Sequence, residues 1–390
     1  MYYTRQVSSQ ISKLQKGFPV ISVTGPRQSG KTTFLQHHFV DYEYFNLENP
    51  QTRELIASDP QQFFELHPKK IIIDEVQRLP ELLSYIQAHV DKKQEMGSII
   101  ISGSQNLLIS EKISQSLAGR AAYQNIFPFS LNELIKHHLN LANHHNQILK
   151  GFYPAVYTLD IDPKLYYSQY LATYVERDAR LIKNIQNLSQ FQRFMGLLAG
   201  RVGQVVNVSS LANDIGIAPN TAEDWISILE ASYIVYRLQP YYKNIGKRLI
   251  KSPKIFFYDT GVLCSLLNIS STNELINHFA VGSIFENFII SEFKKEFSEM
   301  SKSANTYFYR DNHGNEMDLV VDTGGSLIPI EIKSSTTFSS NFFSGFSYWK
   351  KHVDQLAKGY VIYGGKNTQQ IQNDTIVGWK DLSQIFDMVT

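Results

Sequence analysis

The chain of 390 residues holds a single cysteine, Cys264, so no disulfide can form within it, and so low a thiol count suits a reducing compartment. Cys264 itself reads as a small buried apolar residue. No apolar run approaches the ~18 residues that a membrane-spanning helix requires. The opening Met1-Tyr2-Tyr3-Thr4-Arg5 has neither an apolar core nor a small-residue cleavage site, which reads against a secretory leader. These features predict a cytoplasmic location with no membrane partner. Net charge is nearly absent too, with 37 Lys and Arg against 36 Asp and Glu. That excludes a whole-molecule field drawing in a polyanion, so any nucleic-acid surface has to be a local patch. The remainder is ordinary globular composition, 43% hydrophobic and 19% charged, in a length that accommodates two or three domains.

Against this background one segment stands out. Gly25-Pro26-Arg27-Gln28-Ser29-Gly30-Lys31-Thr32, continued by Thr33, satisfies G-x-x-x-x-G-K-[ST] at every fixed position. It follows the apolar run Phe18–Val23 and opens a helical-looking segment, Thr33–Phe39; this strand–loop–helix setting gives the motif its meaning. Glycines let the loop pass close to a phosphate, and successive N–H groups and the helix N-terminus face the anion. Residues 25–33 are therefore the expected ATP-binding segment. Lys31 would reach the β- and γ-phosphates, and the Thr32 hydroxyl would ligate Mg²⁺.

Strand-like runs at Tyr42–Asn46, Lys70–Asp74, Ser98–Ser102 and Ala121–Phe127 alternate with helical stretches near Thr52–Leu66 and Leu79–Lys92. The pattern predicts an α/β fold with a mostly parallel sheet covered by helices on both faces. Ile71–Ile73 and Ile99–Ile101 are unbroken β-branched runs, as in strands buried on both sides. Asp74 and Glu75 end the first run, at the edge beside the phosphate loop. Asp74 would hold Mg²⁺ and Glu75 would activate the attacking water. After the next strand Ser104, with Gln105 second, is placed to hold that water or sense the γ-phosphate; an ordinary turn is the alternative. Arg120 reads either as an arginine finger for a neighbouring subunit or as a surface arginine.

These motifs, with Leu117–Arg120, Phe127–Glu133, Tyr174–Asp178 and Lys251–Gly261, resemble a prokaryotic family of AAA-like P-loop ATPases. Its members are named "ATP-binding protein" and join this core to a C-terminal domain of unknown function. The resemblance spans nearly the whole chain and implies ATP binding and a prokaryotic source.

The middle of the chain, residues 129–190, reads as helical, clearest at Leu165–Asp178, with a lid over the nucleotide as its expected role. Leu139–Asn146 reads as a polar turn with His144 and His145 solvated. Ser209–Glu230 has helix-turn-helix form, with the turn at Gly216, a second helix capped by Asn220 or Thr221, and a wing strand at Tyr233–Leu238. That second helix carries Glu223, Asp224 and Glu230 but no Lys or Arg, so a structural or protein-contact module stands beside DNA contact. Lys243, Lys247, Arg248, Lys251 and Lys254, with Tyr241 and Tyr242 alongside, form either a cationic track for a nucleic-acid backbone or a plain solvated loop.

Farther on, Glu316–Asp322 and Leu327–Lys333 read as two strands joined at Gly324-Gly325. Counting outward from that turn opposes Asp318 to Glu331 and Glu316 to Lys333, all on one face. Facing carboxylates repel unless a cation such as Mg²⁺ or Mn²⁺ lies between them. The alternative is a salt-bridged face with Lys333 pairing to Glu316 and Glu331. The pattern resembles the PD-(D/E)XK nuclease superfamily. By that resemblance Asp318 and Glu331 bind metal, Lys333 positions or activates water, Glu286 adds a further acid from a helix, and Gln355 assists.

The expected organisation is an ATPase core at 1–128, a helical lid at 129–190, a winged helix-turn-helix at 191–245 and a PD-(D/E)XK nuclease-like α/β domain at 246–390. The expected function is a Mg²⁺-dependent ATPase coupling nucleotide state to that nuclease-like domain, acting on DNA or RNA, with oligomers allowed. The alternative is an ATP-dependent regulatory switch with protein partners and a silent nuclease-like domain.

Overall fold

Strands built from consecutive β-branched residues bury both faces. The computed structural model, which describes residues 2–104, 116–174, 185, 187–241, 252–300, 305–311, 313–353 and 357–389, has such strands at the centre of its N-terminal part. Strands β1 (Val20–Thr24), β2 (Glu43–Asn46), β3 (Ile71–Asp74), β4 (Ile99–Gly103) and β5 (Ala121–Asn125) form a parallel sheet in the order β2-β3-β4-β1-β5. β1, β3 and β4 are buried along their whole length. Alternation of side chains sends Ile71, Ile73, Ile99 and Ile101 into one apolar cluster and Ile72 and Ile100 into another.

Helices cover both faces. α1 (Ser8–Gly17) and α2 (Lys31–His38) supply Ile11, Phe34 and Leu35 to the cluster around Ile72 and Ile100. α3 (Pro50–Ser58), α4 (Pro60–Leu66) and α5 (Leu82–Lys93) supply Ile56, Phe63 and Ile86 to the other. The single helix expected over Thr52–Leu66 is thus two. Pro60 cannot donate to a continuing helix and restricts the residue before it, and the Asp59 side chain accepts from Gln62 N–H to cap α4.

The chain divides into two units. The first comprises Met1–Phe129, Ala231–Tyr233 and Ser298–Ser301, and the second comprises Ser130–Glu230, Ile234–Phe297 and Lys302–Thr390. The second begins with helices α6 (Leu131–Lys136), α7 (His144–Lys150), α8 (Pro154–Thr158), α9 (Pro163–Tyr174), α10 (Leu188–Ala199), α11 (Val208–Ile215) and α12 (Pro219–Ala231). Strands β6 (Val235–Pro240) and β7 (Lys254–Phe257) follow, then α13 (Thr260–Leu266), α14 (Thr272–Ile276) and α15 (Val281–Glu299). The last segment runs β8 (Asn305–Arg310), β9 (Glu316–Asp322), β10 (Leu327–Lys333), α16 (Ser344–His352), β11 (Tyr360–Tyr363), β12 (Gln369–Ile371), β13 (Asp374–Gly378) and α17 (Ser383–Val389). Its strands make a mixed eight-stranded sheet, β12-β13-β11-β10-β9-β8-β6-β7. No helix among the described residues is long and apolar enough to cross a membrane.

Three expectations for this unit change. His144 is buried, against the rings of Phe285 and Trp379, because Asn143 caps α7 and the helix turns His144 inward. α12 starts at Pro219, a residue preorganised for the first helical position, so Asn220 and Thr221 lie inside its first turn rather than before it. Gly216, left-handed at φ +76°, ends α11 ahead of α12. β6, at the strand expected over Tyr233–Leu238, pairs antiparallel with β7 on one side and parallel with β8 on the other. Lys254 is buried in β7 and leaves the cationic stretch; Tyr242 through Lys251 lie outside the described residues, as do Gln105, Val175–Asp178 and Gln355.

Ile100→Ala in the central β4 should cost about 2–5 kcal/mol in urea unfolding, through lost burial and the cavity left behind. Leu55→Ala, at an exposed position of α3, should stay within about 0.5 kcal/mol.

Candidate functional site

The phosphate loop is shaped by the sheet that it leaves. Gly25 has φ +148°, and a Cβ there would lie 2.1 Å from the carbonyl oxygen of Ile126, just beyond β5. Only glycine allows the chain to depart from β1 so close to that backbone. Gly30, at φ +91°, forms the N-cap of α2. The Lys31 ammonium donates to the carbonyls of Gly25 (2.9 Å) and Pro26 (2.8 Å), so it is held beneath the loop. Burial draws it down to about 8, Arg27 adds to that, and Glu75 and Asp74 oppose it. From outside the motif, Arg5 fastens the loop by donating to Ser29 O (3.0 Å) and Phe127 O (2.7 Å).

Asp74 is the meeting point. Its Oδ2 accepts from the Thr32 hydroxyl at 2.8 Å and from the Tyr44 hydroxyl at 2.6 Å, and its Oδ1 accepts from Ser102 Oγ. Thr32 and Asp74, placed together by the observed strand order, offer hard oxygens of the kind Mg²⁺ takes while keeping several waters. The residues present fit that ion. Glu75, next along, is left-handed at φ +58° and ψ +43°. Burial pushes its carboxyl up, Lys31 and Arg27 pull it back, and Asp74 and Glu48 act with burial. Gln77 Nε2 donates to Glu75 Oε2.

Not every expected residue joins this group. Ser102 Oγ bonds Asp74, and the Ser104 hydroxyl is buried without a hydrogen-bond partner among the described residues. Arg120 sits where β5 begins, at the edge of the sheet opposite the loop, and its Nε pairs with Asp91 at 2.5 Å. The expectation also missed Arg5, Tyr44, Ser102 and Gln77. Tyr44 and Ser102 reach Asp74 only because β2 and β4 flank β3, which no local motif records.

In the second unit the hairpin has the counted register, from Leu327 opposite Asp322 to Ile330 opposite Leu319. Asp318 Oδ2 accepts from Ile332 N–H at 2.7 Å, and Lys333 Nζ lies 2.5 Å from Glu331 Oε2 and 3.6 Å from Asp318 Oδ2. Glu316 does not pair with Lys333. It meets Lys254, whose ammonium lies 2.6 Å from Glu316 Oε1 and 2.9 Å from Glu286 Oε1 at 2% side-chain exposure. Burial would lower both lysines, yet the surrounding carboxylates raise them, and burial raises Glu286 and Glu331. No group of three Asp, Glu, His or Cys poised to hold a metal occurs among the described residues. Lys254 pairs with the Glu286 carboxylate, and Lys333 with those of Asp318 and Glu331. Arg237 of β6 pairs with Glu223 (2.7 Å) and Glu230 (3.3 Å) of α12.

Comparison with known proteins divides the chain in three. Residues 17–135 match a family described as an AAA domain; residues 142–273 and 281–382 match domains of unknown function, DUF8612 and DUF4143. An uncharacterized protein of Mycobacterium tuberculosis is 29% identical over 378 residues, covering 96% of this chain and 82% of its own. An uncharacterized protein of Haemophilus influenzae is 24% identical over 274 residues, 62% of this chain and 67% of its own. Among solved structures, a Walker-type ATPase of Pyrococcus abyssi aligns with TM-score 0.46 and 12% identity over 68% of this chain and 96% of that one. The RuvB Holliday junction branch migration motor of Thermotoga maritima aligns with TM-score 0.28 and 14% identity over 60% and 90%. Likeness at that level adds nothing to the reading of the site.

Gly25→Ala should abolish MgATP binding in a calorimetric titration, since the added methyl collides with backbone, whereas Gly17→Ala meets nothing within 4 Å and should bind as wild type. By the motif, the Lys31–Thr32–Asp74 grouping and the match over residues 17–135, the N-terminal part of this chain is similar to AAA-type P-loop ATPase domains.

Proposed function

We propose that the first unit binds ATP with Mg²⁺ and hydrolyses it. The observation that carries this reading is the direct bond between Thr32 and Asp74, with Lys31 and Glu75 beside it. Lys31 exchanges two carbonyl partners for the β- and γ-phosphates, which releases the ammonium from a desolvated seat into a better one. The loop N–H groups and the N-terminus of α2 hold the phosphate chain. Thr32 and Asp74 would hold Mg²⁺, which would neutralise phosphate charge. Glu75 takes the proton of the attacking water; its raised proton affinity suits a base. Arg120, once released from Asp91, would act on a neighbouring subunit.

The second unit supports a narrower reading than cleavage of DNA or RNA. Asp318 and the Glu331-x-Lys333 pair on adjacent strands, with Glu286 on α15, support a nuclease-like arrangement. Lys254, seated between Glu286 and Glu316, favours a catalytically silent form of it. The chain is then a cytoplasmic ATP-dependent switch whose second unit binds a partner, nucleic acid or protein, according to nucleotide state. A DNA or RNA shift that weakens as salt rises identifies a nucleic-acid partner; a salt-indifferent absence of binding points to protein.

Glu75→Gln should retain MgATP affinity while hydrolysis falls by about 10²–10⁴-fold, the usual loss of a general base. Normal turnover would place the base elsewhere. Lys254→Met should lower stability by about 3–5 kcal/mol, because Glu286 is left as an uncompensated buried charge. Wild-type protein should show no Mn²⁺-dependent nuclease activity, and robust cleavage lost in Asp318→Ala would overturn the silent reading.

A further inference from the structure

We propose that Gln77 orients both the base and the attacking water of ATP hydrolysis, fixing Glu75 through its amide N–H and receiving the water on its amide oxygen. The proposal rests on the reading of Glu75 as the base. Gln77 lies in a single 3-10 turn, Val76–Arg78, that follows β3 directly. The turn is rigid: Arg78 N–H donates to Glu75 O at 2.9 Å, Leu79 N–H donates to Val76 O at 3.0 Å, and Val76 and Leu79 are core residues. The left-handed backbone of Glu75 folds the chain so that side chains 75 and 77 meet. A non-glycine residue adopts that conformation at a cost, and such strain clusters where geometry serves chemistry.

The two ends of the Gln77 amide do different things. Nε2 donates to Glu75 Oε2. Oε1 is buried and has no hydrogen-bond partner among the described residues. A buried amide oxygen beside a base is an acceptor for an O–H group. Being neutral, the amide also fixes a carboxylate without cancelling the charge that a base needs, as a lysine or arginine would. A water donating one O–H to Glu75 and the other to Gln77 Oε1 turns a lone pair outward. As that oxygen bonds to the γ-phosphorus, the bond from phosphorus to the β–γ bridging oxygen breaks. One water proton passes to Glu75, and ADP and phosphate leave.

The test compares wild type, Gln77→Ala, Gln77→Glu, Glu75→Gln and the Gln77→Ala/Glu75→Gln double variant. Single-turnover hydrolysis is read beside the affinity for a non-hydrolysable magnesium–nucleotide analogue. Gln77→Ala should lose about 30- to 100-fold in kcat with KM and affinity within about 2-fold. Gln77→Glu keeps the size but loses the N–H donor, so it should be as slow. The double variant should be no slower than Glu75→Gln, because residues that act as one unit are not additive. Wild-type kcat in Gln77→Ala, alongside a slow Glu75→Gln, overturns the role of Gln77 and leaves the base in place. Wild-type kcat in Glu75→Gln overturns the base itself. A parallel fall of affinity and kcat in both Gln77 variants, or additive losses in the double variant, makes Gln77 merely structural and overturns the proposal.

Discussion

A carboxylate at the end of a fully buried strand needs donors on both oxygens, and in the first unit Asp74 obtains them from three separate elements. Thr32 comes from the phosphate loop, Tyr44 from β2 and Ser102 from β4. The parallel order of the sheet is what makes this possible, since it brings the C-terminal ends of neighbouring strands to one edge. The same edge receives the loop, because Gly25 allows a close exit past Ile126. Binding chemistry here is thus a by-product of satisfying one buried charge with groups that a metal and a phosphate chain can later use.

The second unit meets the same constraint in another way. Here Glu316, Asp318 and Glu331 of the sheet and Glu286 of α15 gather around two lysines, Lys254 and Lys333. Taking one side chain from such a set leaves a desolvated charge, whereas the complete set is tolerable. The contrast between the units is informative. Around Asp74 the donors are neutral hydroxyls, which a cation can displace. Around Glu316 and Glu286 the donor is itself a cation with a covalent tether. The first arrangement is open to exchange and the second is self-sufficient.

Much of the first unit could be read directly. The phosphate loop, the two isoleucine runs and the Asp74-Glu75 pair are local patterns whose physics is local: φ-permissive glycines, β-branched burial, acids at a strand end. The hairpin register was legible for the same reason, because Gly324-Gly325 fixes the turn and everything else follows by counting. Where the reading failed, long-range packing decided. His144 looked solvated within an Asn- and His-rich stretch, yet Phe285 and Trp379 from far along the chain enclose it. Lys254 looked like one member of a basic loop, yet β7 carries it into the sheet.

The sequence by itself determined the nucleotide-binding class of the first unit, the alternation of strands and helices around it, and the pairing of β9 with β10. Each depends on residues within one or two turns of chain. Tertiary structure alone decided that Tyr44 and Ser102 join Thr32 on Asp74, that Arg120 lies at the opposite edge from the loop, and that Lys254 rather than Lys333 meets Glu316. Those outcomes depend on which strands become neighbours. Strand order is set by the total burial of two apolar faces, a sum over the unit that no short segment contains.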